Sequence, residues 1–136
     1  MIETVLGAAI GYTREQVRPF LKSLRMTGYT GRIVWFADKG GADEARDWGA
    51  EVLPCPKVKT KPHAERFYWM LEEMSKRDLG PTLCLDTRDV FFQTNPAHLP
   101  DTGLHVFEED ECMTIGSCPY NSLWVKIGME NWLWKS

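Results

Sequence analysis

The sequence predicts an α/β fold, a three-layer sandwich around a mainly parallel sheet, on three observations. Short apolar runs alternate with amphipathic stretches, cap and turn residues separate them, and polar side chains gather where the apolar runs end. Strand–helix–strand–helix order implies right-handed crossovers, which place helices on the faces of a parallel sheet. That arrangement is Rossmann-like.

The elements come in order along the chain. Residues 4–10 are small and apolar and read as a buried strand. Gly11 and Tyr12 break it. Thr13 with Gln16 makes a capping box that starts a helix. Val17, Phe20, Leu21 and Leu24 then recur on one helical face. Pro19 predicts a bend or a later start, and Gly28 predicts the stop. Residues 32–37 read as a second strand, ending at Asp38, Lys39, Gly40 and Gly41. A short helix over residues 42–48 stops at Gly49, and a third strand lies near residues 51–54. Residues 54–62 form a loop carrying Lys57, Lys59 and Lys61. A longer helix starts at His63, with Ala64, Phe67, Leu71 and Met74 as its apolar stripe and Met70 beside it. Arg66 lies on another side, and Gly80 with Pro81 ends the helix. Residues 82–85 are a fourth, central strand with Leu83 and Leu85 on one face and Cys84 on the other, all buried. Residues 104–107 read as a fifth.

Composition narrows the function classes. The 136 residues suit a single domain, 1–136, and 43 % hydrophobic content supports a buried core. A net charge of −3 gives no electrostatic case for nucleic acid or an anionic membrane. No apolar run approaches the roughly 18 residues of a membrane span. Met1, Ile2 and Glu3 lack the basic start of a signal peptide, so a cytoplasmic location is expected. Cys55, Cys84, Cys112 and Cys118 have no Cys-x-x-Cys spacing and read as reduced, mostly buried thiols. His63, His98 and His105 show no pairing at helical spacing and read as structural.

In such sheets, ligands bind outside the carboxyl ends of the strands. Those ends carry Gly11, Tyr12, Asp38, the lysine loop and Asp86 to Asp89. Asp86 and Asp89 are two carboxylates hemmed by apolar segments, and they repel unless a cation lies between them. A divalent Mg2+ or Mn2+ supplies that charge and neutralises a diphosphate leaving group as a Lewis acid. The plainer alternative has Asp86 capping a turn and Arg88 paired with Asp89.

The run Leu85-Asp86-Thr87-Arg88-Asp89-Val90-Phe91-Phe92-Gln93-Thr94-Asn95-Pro96 resembles the segment after the fourth strand in certain GT-A type glycosyltransferases. It is their counterpart of the metal-binding Asp-x-Asp motif. Residues 20–31 resemble that family's first helix and its exit, and Arg66 to Leu71 the helix whose arginine lies near the nucleotide. The resemblance implies a GT-A-like fold that binds a UDP- or GDP-type sugar and transfers the sugar to an acceptor. It implies that Gly11, Tyr12 and Asp38 face the base and ribose. Tyr12 then stacks on a pyrimidine, or else serves plain packing. Arg66 or a loop lysine contacts phosphate, and Asp86 and Asp89 hold Mn2+ or Mg2+. The motif departs from the common form because Arg88 stands where a second carboxylate is usual. Asp86 then binds the ion alone or through water, and Arg88 serves the phosphates.

Family domains are longer and place the acceptor site and the candidate base beyond the motif. The expectation is an incomplete domain, truncated at the C-terminus, with no catalytic residue named. Glu108 to Glu111 reads as a solvated acidic run. Trp124, Trp132 and Trp134 suggest a surface covered by more chain or by a homo-oligomer partner. Two alternatives stand beside a transferase. One is a non-catalytic nucleotide-sugar-binding remnant. The other is a metal-dependent phosphatase using Asp86 as nucleophile, which the lack of an Asp pair after the first strand disfavours. No Gly-x-Gly-x-x-Gly or P-loop stretch is present.

Overall fold

The computed structural model describes residues 1–59, 61–100 and 102–103. They lie in the first of the two units into which the chain divides, Met1–Gly103. The elements are β1 (Thr4–Ala9), α1 (Arg14–Met26), β2 (Arg32–Ala37), α2 (Lys39–Asp47), β3 (Glu51–Leu53), α3 (Pro62–Lys76) and β4 (Thr82–Cys84). A 3-10 turn, Pro96–His98, comes after β4.

The sheet order is β3-β2-β1-β4 and every pairing is parallel. From β1 the chain steps outward to β2 and β3, then returns past β1 to place β4 on its other side. Right-handed crossovers in opposite directions put their helices on opposite faces. Accordingly α1 and α2 cover one face and α3 the other, which makes the predicted Rossmann-like three-layer sandwich.

The α1–α2 face is dense. Val17, Phe20, Leu21 and Leu24 of α1 and Ala45 of α2 are fully buried against Val5, Ile33 and Trp35. Phe20 meets Trp35 edge-on at 5.1 Å and Phe92 at 4.9 Å. The capping box forms, with the Thr13 amide donating to Gln16 Oε1 at 3.0 Å. Pro19 sits inside α1 and does not delay its start. It is exposed, so its ring points away from the packed face. Thr27 caps the helix and Gly28 comes next with φ 82°, as expected.

Three sequence readings need correction. First, α2 begins at Lys39, with Gly40 and Gly41 inside the helix rather than in a loop. A Cβ on Gly40 would meet the Arg14 amide at 3.1 Å, and one on Gly41 the Tyr12 carbonyl at 3.3 Å. The missing side chains let the first turn of α2 press against the start of α1.

Second, the predicted stripe of α3 faces solvent: Phe67, Leu71 and Met74 are exposed, while Trp69 and Met70 dock on Leu6, Ala8, Val34 and Phe36. Residues 67–71 are apolar almost without interruption, so spacing does not select the docked side. The helix also ends at Lys76, before Gly80.

Third, β4 is an outer strand among the described residues, and Cys84 is exposed rather than buried. Cys55 is half-buried, and burial pushes its thiol up to about 11. Both are free thiols. Cys112, Cys118, His105, the expected fifth strand, the acidic run and the tryptophan cluster lie outside the described residues.

Candidate functional site

The sheet changes its direction of growth between β1 and β4. Beyond the carboxyl ends of two strands at such a switch, their connections diverge and leave a crevice. Gly11 and Tyr12 leave β1 there, and Asp86, Thr87 and Arg88 come after β4. Asp38 ends the neighbouring β2.

Beyond the backbone bond from the Leu85 amide to the Leu6 carbonyl at 3.2 Å, side-chain contacts join the β1 and β4 ends. Buried Thr87 donates its hydroxyl to the Ala8 carbonyl at 2.7 Å. Its methyl group lies over Gly7, where a Cβ would come within 2.5 Å of it and 3.0 Å of Trp35 Nε1. Gly7 therefore makes room for Thr87, and Thr87 pins the segment carrying Asp86 and Arg88 to β1. The second contact is Arg88, whose guanidinium lies over the Tyr12 ring at 5.9 Å from its centroid. The chain after Asp89 is also anchored, because the Phe92 amide donates to Ser23 Oγ at 3.0 Å. Neither Gly7 nor Thr87 stands out in the sequence as a site residue. A glycine inside an apolar strand run is the available signal, since it marks a close approach.

The β1 and β2 ends are joined by Asp38. Its carboxylate accepts from the Gly11 amide at 2.6 Å and makes no cap bond to α2, although Asp38 occupies the cap position. Gly11 has φ 72°, a left-handed conformation that glycine adopts without cost. Lys39, next to Asp38, has φ 47° with a side chain present.

Arg66 comes from α3 on the opposite face. Its Nη1 and Nη2 donate to the two carboxylate oxygens of Asp86 at 2.5 and 3.2 Å. Arg66 is 17 % exposed and Asp86 49 %. The Arg66 Nε is buried without a hydrogen-bond partner among the described residues. Its guanidinium also lies 5.0 Å from the Phe67 ring centroid.

Of the residues expected to bind nucleotide sugar, Gly11 and Asp38 meet directly, Tyr12 and Arg88 meet directly, and Arg66 meets Asp86. The lysine loop is tied to α3 through the Lys59 amide, which donates to Glu65 Oε1 at 2.8 Å. Lys57 and Lys59 are exposed.

Arginines stand at both carboxylates expected to hold a cation. Both Asp86 oxygens are engaged by Arg66, and Asp89 is 84 % exposed with Arg88 Nε 3.8 Å from its Oδ1. Among the described residues no group of three or more His, Cys, Asp or Glu side chains is placed to hold a metal. The plainer alternative holds in its second half, since Arg88 pairs with Asp89 at 3.8 Å, whereas Asp86 pairs with Arg66 from another element.

No family model matches the chain, and neither a curated protein nor a solved structure matches it. Among the described residues no helix is long and apolar enough to cross a membrane. What the chain forms is a Rossmann-like α/β sandwich with a parallel sheet and polar residues assembled at its topological switch.

Proposed function

We propose that this chain binds a nucleoside-diphosphate sugar at the β1–β4 switch and contributes the donor half of a glycosyltransferase-type site. The observation that carries this reading is the pairing of Tyr12 with Arg88 and of Arg66 with Asp86 beside that switch. An aromatic ring offers a stacking surface for a base. Guanidinium groups match phosphate oxygens in charge and geometry. Gly11 and Asp38 fix the neighbouring backbone where a ribose would lie. The Leu85 to Pro96 resemblance supports the same assignment.

In this reading the protein orients the donor and offsets the charge that grows on a departing diphosphate. Calorimetric titration with UDP-, GDP- and ADP-sugars, together with an assay for donor hydrolysis, tests it. Micromolar to millimolar binding of one donor class supports the reading. Hydrolysis or transfer marks an enzyme, whereas binding without turnover marks a nucleotide-sugar-binding module. Absence of binding to every donor, in EDTA and in Mn2+ alike, overturns the reading.

A further inference from the structure

The Arg66–Asp86 pair bears on how a diphosphate is held at the switch. Building on the nucleotide-sugar reading, we propose that Arg66 is the resident counter-cation of this site. Diphosphate then binds to it without a divalent ion, in competition with Asp86. Three observations support this.

The carboxylate that would take a cation already has both oxygens on one guanidinium, at 2.5 and 3.2 Å. A cation arriving at Asp86 would stand against that guanidinium and be repelled by it. Arg66 is 17 % exposed, so surrendering its carboxylate to a metal would leave a mostly buried charge unpaired. Its Nε–H is buried and has no acceptor among the described residues. The terminal nitrogens that hold Asp86 are the donors an anion with several oxygens would take over. A diphosphate fits, since a guanidinium carries five N–H donors and Asp86 engages two of its nitrogens.

Asp86 holds the guanidinium beside the end of β4 when the site is empty. It is half-exposed and takes up water when the anion displaces it. Arg66 reaches this point because α3 crosses the face opposite α1 and α2. The pair is thus a product of the return crossover that creates the switch.

The test uses the protein with UDP, GDP and inorganic pyrophosphate as probes, titrated in EDTA and in Mn2+. Wild-type affinity should change less than about threefold between the two conditions, because no metal bridges protein and phosphate. Arg66→Gln should weaken binding at least about tenfold, the loss of a charge-assisted pair. Asp86→Asn should strengthen it about two- to fivefold, since removing a half-exposed competing carboxylate releases its donors.

A metal site demands the opposite sign. Binding that appears only with Mn2+ and vanishes in Asp86→Asn overturns this proposal and leaves the nucleotide-sugar reading standing. Failure of every probe in both conditions overturns this proposal, and the nucleotide-sugar reading falls with it when every donor sugar fails as well. Thermal melts of both variants establish that each is folded. Should Arg66→Gln unfold, Arg66→Lys replaces it: one ammonium in place of a two-pronged donor still lowers affinity in EDTA.

Discussion

The two faces of the sheet are built differently. The α1–α2 face buries Trp35, Phe20, Leu21, Leu24, Val17, Ile33 and Val5 almost completely. The α3 face relies on Trp69 and Met70 and leaves Phe67, Tyr68, Leu71 and Met74 exposed. The difference also divides the site. The Gly11 amide and the Asp38 carboxylate meet beside the dense face, where α1 and α2 pack closely. Arg66, which in the proposed site exchanges one anionic partner for another, comes from the more open face. In the proposed site, fixed geometry and exchangeable charge thus fall on opposite sides of one sheet.

The largest expected effect is on the dense face. Trp35→Ala should cost about 3–5 kcal/mol in urea unfolding, as a large aromatic is lost from a packed core. A cost below that of Trp69→Ala would reverse the comparison. Gly7→Ala should cost about 1–3 kcal/mol, because the new methyl group meets Thr87 and Trp35 and one must move. The same variant should also weaken donor binding, since the moved Thr87 carries Asp86 and Arg88 with it. Normal donor affinity in a destabilised Gly7→Ala protein would detach Thr87 from the site.

A third expectation concerns acid. The Glu44 side chain is 4 % exposed and lies among Arg14, Arg18 and Trp48. Hydrogen bonds from Arg18 first, then from Trp48, with the charges of Arg18 and Arg14, hold its carboxyl down to about 2. A depressed carboxyl stabilises the fold above its ordinary value and loses that contribution as pH falls. Stability should therefore decline as pH drops from 4.5 towards about 2. Glu44→Gln should flatten that decline, and an unchanged acid transition would remove Glu44 from the link between α1 and α2. The smallest effect is expected on the open face, where Leu71→Ser should lie within about 0.5 kcal/mol of wild type. A cost like that of Leu24→Ser would mean that the exposed stripe is covered in solution.

Much of this architecture is legible in the residues. The β1 run, the capping box at Thr13 and the stripe Val17, Phe20, Leu21 and Leu24 are local patterns, and all form as read. The stripe of α3 is not, because apolar residues lie on several sides of that helix and only the sheet decides which side docks. Gly40 and Gly41 resemble a loop because their role depends on a helix distant in sequence. At the site, the polar residues at the strand ends are visible one by one. Their pairing is not, because Arg66 and Asp86 are brought together by a crossover and not by a motif.

The bond from the Gly11 amide to Asp38 has a consequence in time as well as in space. An exposed turn amide normally trades its proton with water quickly, whereas one held at 2.6 Å by a carboxylate must wait for that carboxylate to let go. Gly11 thus becomes a clock for the loops after β1 and β2, and its proton is released only as often as the two part company.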